Sequence, residues 1–256
     1  MNGLLNGLVE YWQPDVSLGS LKGMVAGIDW SVPVGLSVVN DASFPSGKAI
    51  KTFELHLPNI VTPTNSILQG WGASDFLVMA WFKLNSAFSN YQFVMGEANT
   101  DGFDFGVDTH FPPTNAAFEI PGADGNYNAF IKSTGDPLTP DAAHCMMCWW
   151  TANDLTAHLQ ADGGTEFTQV QIGSAGAGTP DPSNIGAITM QGSLDGSLAT
   201  TGGDVAMWRG NDAVANVLTQ RALLFGGLGF VGFDAGNGIV PQTCMMGRQG
   251  GRGRRF

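Results

Sequence analysis

Two apolar runs constrain this chain more than any other feature. Phe76-Leu77-Val78-Met79-Ala80-Trp81-Phe82-Lys83 and Cys145-Met146-Met147-Cys148-Trp149-Trp150 are apolar at successive positions. Alternate residues of a strand point to opposite faces, so each run reads as the central strand of a two-layer structure. Around them lie runs that alternate: Ile50 to Leu57, with Phe53, Leu55 and Leu57 on one face; Phe103 to Asp108; and Leu155 to Ala161, which stops at the turn signal Asp162-Gly163-Gly164. Val205-Ala206-Met207-Trp208 reads as a late core strand. Clusters of Gly, Pro, Asn and Asp separate these runs, and the 36 glycines in 256 residues are about twice the usual share. The pattern predicts an all-β chain with one helix. Asn211 or Asp212 caps that helix, Val214, Val217, Leu218, Arg221 and Leu224 recur near its period, and Gly226-Gly227 stops it.

Three stretches read as long loops: Pro112 to Ala129, Gly173 to Asn184, and the tail Gly247 to Phe256. No repeat and no shift of composition marks a boundary before residue 240. The organisation expected is a single domain over residues 1–232 and a C-terminal arm over 233–256.

Charge narrows the partners. The formal net charge is −11, and Arg248, Arg252, Arg254 and Arg255 all lie in the last nine residues. The rest of the chain carries net −15, which excludes a nucleic-acid-binding body because phosphate contacts need cationic surface. Only the Arg-rich tail could touch nucleic acid. With 43% hydrophobic residues, seven Trp and sixteen Phe, the chain is not of the disordered class. No window offers 18 uninterrupted apolar residues to cross a membrane. The opening MNGLLNGLVEYWQPD lacks the basic start of a secretory signal, so synthesis in a cytoplasm is expected. Three cysteines build no disulfide framework there.

The chemical motifs are sparse. Cys145 and Cys148 form C-x-x-C, but strand geometry sends them to opposite faces and only Cys244 remains as a further ligand. Free buried thiols are the reading. Asp104 and Asp108 share a strand face but lie roughly 13 Å apart, too far for one calcium ion. Asp101 with a loop carbonyl is the one Ca2+ candidate, against a simpler account as solvated strand and turn aspartates. No Gly-x-Ser-x-Gly elbow and no phosphate loop ending in Gly-Lys-Ser/Thr occurs. Trp12, Trp81, Trp150 and Trp208 read as core; Trp30, Trp71 and Trp149 are the aromatics left as candidates for a glycan platform or a protein interface.

Four weak motifs in order carry a resemblance over residues 4–228. Leu4-Leu5-Asn6-Gly7-Leu8-Val9-Glu10-Tyr11-Trp12 resembles the GLVAYW opening of laminin-G-like, concanavalin A-like jelly-roll domains. Met79-Ala80-Trp81-Phe82-Lys83, His144 to Gly163 with Asp162-Gly163 at the turn, and Gly202 to Asn211 look like its later strands. Ala143 stands where that family has an aromatic residue, and Asp15 to Asp29 departs from its early pattern. The resemblance implies a two-sheet antiparallel jelly-roll sandwich with one short C-terminal helix and extended terminal arms, of the kind found in tailed-phage virion proteins. Jelly-roll glucanases place paired carboxylates on one strand, and glycoside hydrolysis needs such a pair. Here the five Glu (10, 54, 97, 119, 166) have no carboxylate two residues away.

The expected function is therefore a non-enzymatic virion structural protein, a capsid decoration or accessory protein. It would dock on the major capsid protein or other virion subunits through Arg248, Arg252, Arg254, Arg255 and Phe256, assemble as a homo-oligomer and hold glycans weakly. The alternative is a stand-alone carbohydrate-binding, lectin-like module. No cofactor and no catalytic residue is expected in either.

Overall fold

The computed structural model describes residues 2–30, 36–52, 60–61, 74–84, 92–97, 104–108, 115–121, 127–133, 135, 137–170, 188–190, 200–226, 233–234 and 238–239. A 3-10 turn, Asn2–Leu5, precedes β1 (Leu8–Asp15), β2 (Ser20–Gly23), β3 (Leu36–Asn40), β4 (Lys48–Thr52), β5 (Ile60–Val61) and β6 (Phe76–Leu84). Then come β7 (Gln92–Glu97), β8 (Asp104–Asp108), β9 (Asn115–Pro121), β10 (Tyr127–Lys132), β11 (Ala143–Thr151), β12 (Thr156–Ala161), β13 (Glu166–Val170), β14 (Ile188–Met190) and β15 (Thr200–Arg209). Helices α1 (Asn211–Thr219) and α2 (Arg221–Phe225) follow, and a short hairpin, β16 (Phe233–Asp234) with β17 (Gly238–Ile239), comes last. The fold is antiparallel and mostly strand, with a short helical segment near its C-terminal end.

A nine-stranded sheet runs β13-β12-β11-β6-β15-β1-β2, with β4 beside β15 and β3 beside β4. A six-stranded sheet runs β10-β9-β8-β7-β14-β5. The two-sided apolar runs are β6 and β11, paired in full register at the centre of the larger sheet, from Phe76 opposite Trp150 to Lys83 opposite Ala143. One face of that sheet, with Trp12, Phe76, Val78, Phe82, Cys148, Trp150 and Met207, packs on Ala116, Phe118, Ile120 and Ile131 of the smaller sheet. The opposite face, with Tyr11, Leu77, Met79, Cys145, Met147, Trp149 and Trp208, packs on Leu4 and on Val214, Val217 and Leu224 of the helices. Trp81 is partly buried beside that second core. Both thiols are buried and free, one in each core, as alternation requires. Burial pushes both thiols well above the ordinary cysteine range.

Two buried carboxylates fix the strand ends. Glu10 is wholly buried, and its oxygens accept the backbone N–H groups of Val25 (2.6 Å), Ala26 (3.0 Å) and Ile28 (3.1 Å). The loop after β2 is thus wound around one side chain. Gly23 is the residue that permits the approach, since a Cβ there would lie 2.7 Å from a Glu10 oxygen. Inside that loop Trp12 donates its indole N–H to the Ile28 carbonyl (2.6 Å), and Trp30 meets Trp12 edge-on at 5.6 Å. Asp204 accepts the Tyr11 hydroxyl (2.7 Å) and both the N–H (3.1 Å) and hydroxyl (3.0 Å) of Ser46. It sits at an irregularity of β15 between Gly202 and Val205. Burial raises its carboxyl above the usual range, and the bonds from Tyr11 and Ser46 oppose that rise.

Three expectations are corrected here. The expected C-terminal helix is there, in two segments that meet at Gln220, whose N–H bonds back to the Val217 and Leu218 carbonyls, but Gly210 rather than Asn211 or Asp212 occupies its N-cap, without a side-chain bond. The Asn211 side chain instead accepts the N–H of Asp75. The stretch Pro112 to Ala129 is not one long loop. It contains all of β9 and the start of β10, because Ala116, Phe118 and Ile120 alternate into the core. Trp30 and Trp149, left as candidate glycan or interface aromatics, are core residues at 3% and 1% exposure. The Gly173 to Asn184 stretch, Phe53, Leu55 and Leu57 lie outside the described residues.

Replacing Glu10 by Ala leaves three loop N–H groups without an acceptor and should cost about 3 kcal/mol or more. Glu10→Gln keeps one oxygen acceptor and should cost less. Urea denaturation of the three proteins checks the order; equal midpoints would show that the loop does not depend on this carboxylate.

Candidate functional site

The meander β11-β12-β13 and the helix segment α2 build one concave feature. The chain reverses between β12 and β13 through Asp162 (φ 50°) and Gly163 (φ 71°), closed by the Gly164 N–H on the Ala161 carbonyl (2.8 Å). Two successive positive φ angles are those of the type I′ hairpin turn, which Asp-Gly favours. The turn exposes the Asp162 carboxylate yet fixes it. One oxygen accepts the Cys145 N–H (2.7 Å) and the other meets His144 Nδ1 (2.6 Å). The opposite ring nitrogen of His144 meets the Thr139 carbonyl (2.7 Å).

The break at Gln220 sets α2 against this turn. Leu224 is buried in the second core, and the Phe225 ring lies 3.6 Å from where a side chain on Gly163 would begin. Between turn and helix opens a cleft of about 520 Å3, lined by Gln160, Asp162 and Gly163 on one side and by Arg221, Ala222, Phe225 and Gly226 on the other. Gln160 is 6% exposed. Its amide N–H donates to the Gly164 carbonyl (2.8 Å), while its Oε1 is buried and meets no donor. Glu166 ties the rim together, one oxygen to Arg221 (2.7 Å) and the other to His158 Nδ1 (3.1 Å). His158 stacks on Trp149 with the rings 4.8 Å apart and 7° from parallel.

Beside the cleft, Thr151 Oγ1 lies 3.3 Å from His158 Nε2, so hydroxyl, imidazole and the Glu166 carboxylate stand in sequence. That is the order of a nucleophile relay. Here, however, the Thr151 hydroxyl donates to Asp154. It also meets the Thr156 carbonyl (3.2 Å), and these contacts hold the β11-β12 turn. Among the described residues no group of three or more His, Cys, Asp or Glu is placed to hold a metal ion.

Of the residues singled out from sequence, Trp149 reaches this region, but as the buried floor under His158. Trp30 belongs to the loop around Glu10. Trp71, Asp101, Arg248, Arg252, Arg254, Arg255 and Phe256 lie outside the described residues. Gln160, Arg221 and Phe225 were not anticipated as neighbours. The usable signal was Arg221, a cation at an apolar position of the helical period, followed four residues later by an aromatic.

No protein-family model matches the chain, and no curated protein sequence matches it. Solved structures share its fold. The binding domain of Paraclostridial Mosquitocidal Protein 1 superposes with a TM-score of 0.62 at 11% identity, over 86% of this chain and 53% of that one. A conserved carbohydrate esterase from Shiga toxin-encoding bacteriophage phi24B gives 0.51 at 17% identity, over 80% and 99%. Trypanosoma rangeli sialidase in complex with sialic acid gives 0.51 at 12% identity, over 86% and 34%. The chain spans about half the toxin domain's length. At these identities the likeness is one of fold alone, an antiparallel, mostly β-strand architecture.

The His144–Asp162 contact has a pH signature. Burial lowers the imidazolium of His144, but the bonds to Asp162 and Thr139 and the attraction of Asp162 outweigh it, leaving its pKa above the usual value. A raised histidine contributes its full stability below the unfolded value of about 6.5 and loses it as pH climbs through the raised one. Stability measured for wild type and His144→Gln should differ by about 1–2 kcal/mol near pH 5 and by less toward pH 9. A difference that does not change with pH would show that the contact is not charge-assisted.

Proposed function

We propose that this chain is a non-catalytic, lectin-like carbohydrate-binding module on a two-sheet jelly-roll sandwich spanning residues 1–232, with residues 233–256 as an arm. The observation that carries the reading is the open cleft beside Asp162, where a carboxylate, an amide, a guanidinium and an aromatic ring converge on a lectin-like β-sandwich. Such a mixture suits a polyhydroxyl ligand, whose hydroxyls need donors and acceptors and whose C–H face needs an apolar wall. Two proteins of this fold also have carbohydrate ligands or substrates, the phage carbohydrate esterase and the sialidase in complex with sialic acid. The engaged Thr151 hydroxyl supports binding over turnover.

A second reading has one observation behind it: this fold spans nearly the whole of a bacteriophage protein. In that reading the chain is a virion accessory subunit, assembled with copies of itself. It docks on the acidic surface of a capsid or other virion protein through Arg248, Arg252, Arg254, Arg255 and Phe256, with Trp71 as a further interface candidate and Asp101 as the Ca2+ candidate.

The test is a glycan array probed with the full chain, together with hydrolysis assays on aryl acetates and aryl glycosides. Binding to the array without turnover is expected. Turnover abolished by Thr151→Val would overturn the non-catalytic reading. A blank array, with co-sedimentation on virus particles lost when the chain ends at Met246, would replace it with the virion reading.

A further inference from the structure

We propose that the cleft between the β12–β13 turn and α2 is the saccharide subsite, and that it selects neutral over acidic sugars; this rests on the carbohydrate-binding reading. The first argument is Gln160. Its side chain is more than nine-tenths buried, lines the cleft, and spends its N–H on Gly164, leaving Oε1 without a donor. A buried acceptor without a partner costs free energy that an occupant's hydroxyl removes. Arg221 lines the same cleft, held at its rim by a bond to Glu166 with its side chain 38% exposed.

The second argument is the sign of the remaining groups. Asp162 is an acceptor fixed by Cys145 and His144, with its side chain 45% exposed, so lone pairs remain for hydroxyl donors. The Arg221 guanidinium gives one of its five N–H groups to Glu166 and can offer others to ring or hydroxyl oxygens. A ligand carboxylate would meet Asp162 and Glu166 at the same rim, and Arg221 is already paired with Glu166. A ligand ammonium would meet Arg221. A neutral polyol satisfies every group, and the Phe225 ring opposite the bare Gly163 gives its C–H face a wall. The volume, about 520 Å3, lies within the range of small-ligand sites.

The experiment uses the full chain on an immobilised panel of neutral gluco-, galacto- and manno-configured oligosaccharides beside sialylated and uronic-acid-containing ones. Variants are Gln160→Leu, Arg221→Ala and Ala222→Trp, each checked by thermal unfolding. Ala222 is exposed on α2, so the tryptophan fills the cleft without entering the core and keeps the test decisive even if Gln160→Leu fails to fold. Neutral glycans should be retained by wild type and acidic ones not. Binding should fall at least tenfold in Ala222→Trp and Arg221→Ala at unchanged unfolding temperature. Neutral binding undiminished by Ala222→Trp would overturn the site while leaving the carbohydrate-binding reading in place. Preference for acidic glycans would overturn the selectivity. A wholly blank panel would overturn the proposal together with the reading beneath it.

Discussion

The larger sheet is apolar on both faces, and the rest of the architecture answers that fact. One face is covered by the second sheet, in the usual way of stacked sheets. Among the described residues the other is covered by Leu4, near the start of the chain, and by α1 and α2, which follow the sheet's last strand. The indole N–H of Trp208 donates to the Leu4 carbonyl (2.8 Å), so the last strand of the sheet holds the first turn of the chain. Gly7, at φ 68°, lets that turn pass beneath α1, for a Cβ there would lie 2.2 Å from Ala213. The helix must then reach Trp149, Leu77 and Met147 at the far side, and it does so by breaking at Gln220. The cleft is what the break leaves between α2 and the β12–β13 turn.

Two polar groups inside this construction set its register instead of merely filling it. A buried carboxylate is tolerated only with donors on its oxygens. Glu10 takes three N–H groups from one loop; Asp204 takes the Tyr11 hydroxyl from β1 and the N–H and hydroxyl of Ser46 from the β3–β4 turn. Each carboxylate ties a connection to the strand it must accompany. A shift of β1 by one residue would turn Glu10 and Trp12 to the wrong faces and strand both. Burial leaves Asp204 raised above the usual carboxyl range, whereas the thiols of Cys145 and Cys148, equally deep, stay protonated and inert.

Strand content was legible wherever side-chain period alone decides it. The runs at β6 and β11, the turn after β12, and the opposite faces of Cys145 and Cys148 need only the pleat. What failed needed distant partners. Trp30 looked free because no local pattern buries it, and its core place depends on Glu10 winding residues 24–28 beneath Trp12. The hairpin of β9 and β10 was hidden by Pro112-Pro113 and by Gly122 to Gly125, turn residues that outweighed the alternation of Ala116, Phe118 and Ile120. Asn211 looked like a helix cap, but the N–H it serves belongs to Asp75, 136 residues away. The cleft was invisible for the same reason: Gln160 and Arg221 are neighbours only because α2 is pulled to Trp149 by the uncovered face.

The fold shared with a toxin binding domain, a phage esterase and a sialidase fixes none of their activities here, since function resides in the site that the fold carries. The distinction between binding and turnover comes down to where protons are committed. In the row Thr151, His158, Glu166 the hydroxyl is shared among Asp154, the Thr156 carbonyl and the imidazole, while Glu166 meets His158 with one oxygen and Arg221 with the other. In the cleft the reverse holds. Gln160 Oε1 is an acceptor without a donor, and Asp162 keeps acceptor capacity toward solvent while its backbone and histidine bonds hold it still. Groups that are rigid but incompletely satisfied bind at low reorganisation cost. The chain's net charge of −11 acts in the same direction, because a negative field lowers the local concentration of anionic ligands and leaves neutral ones untouched.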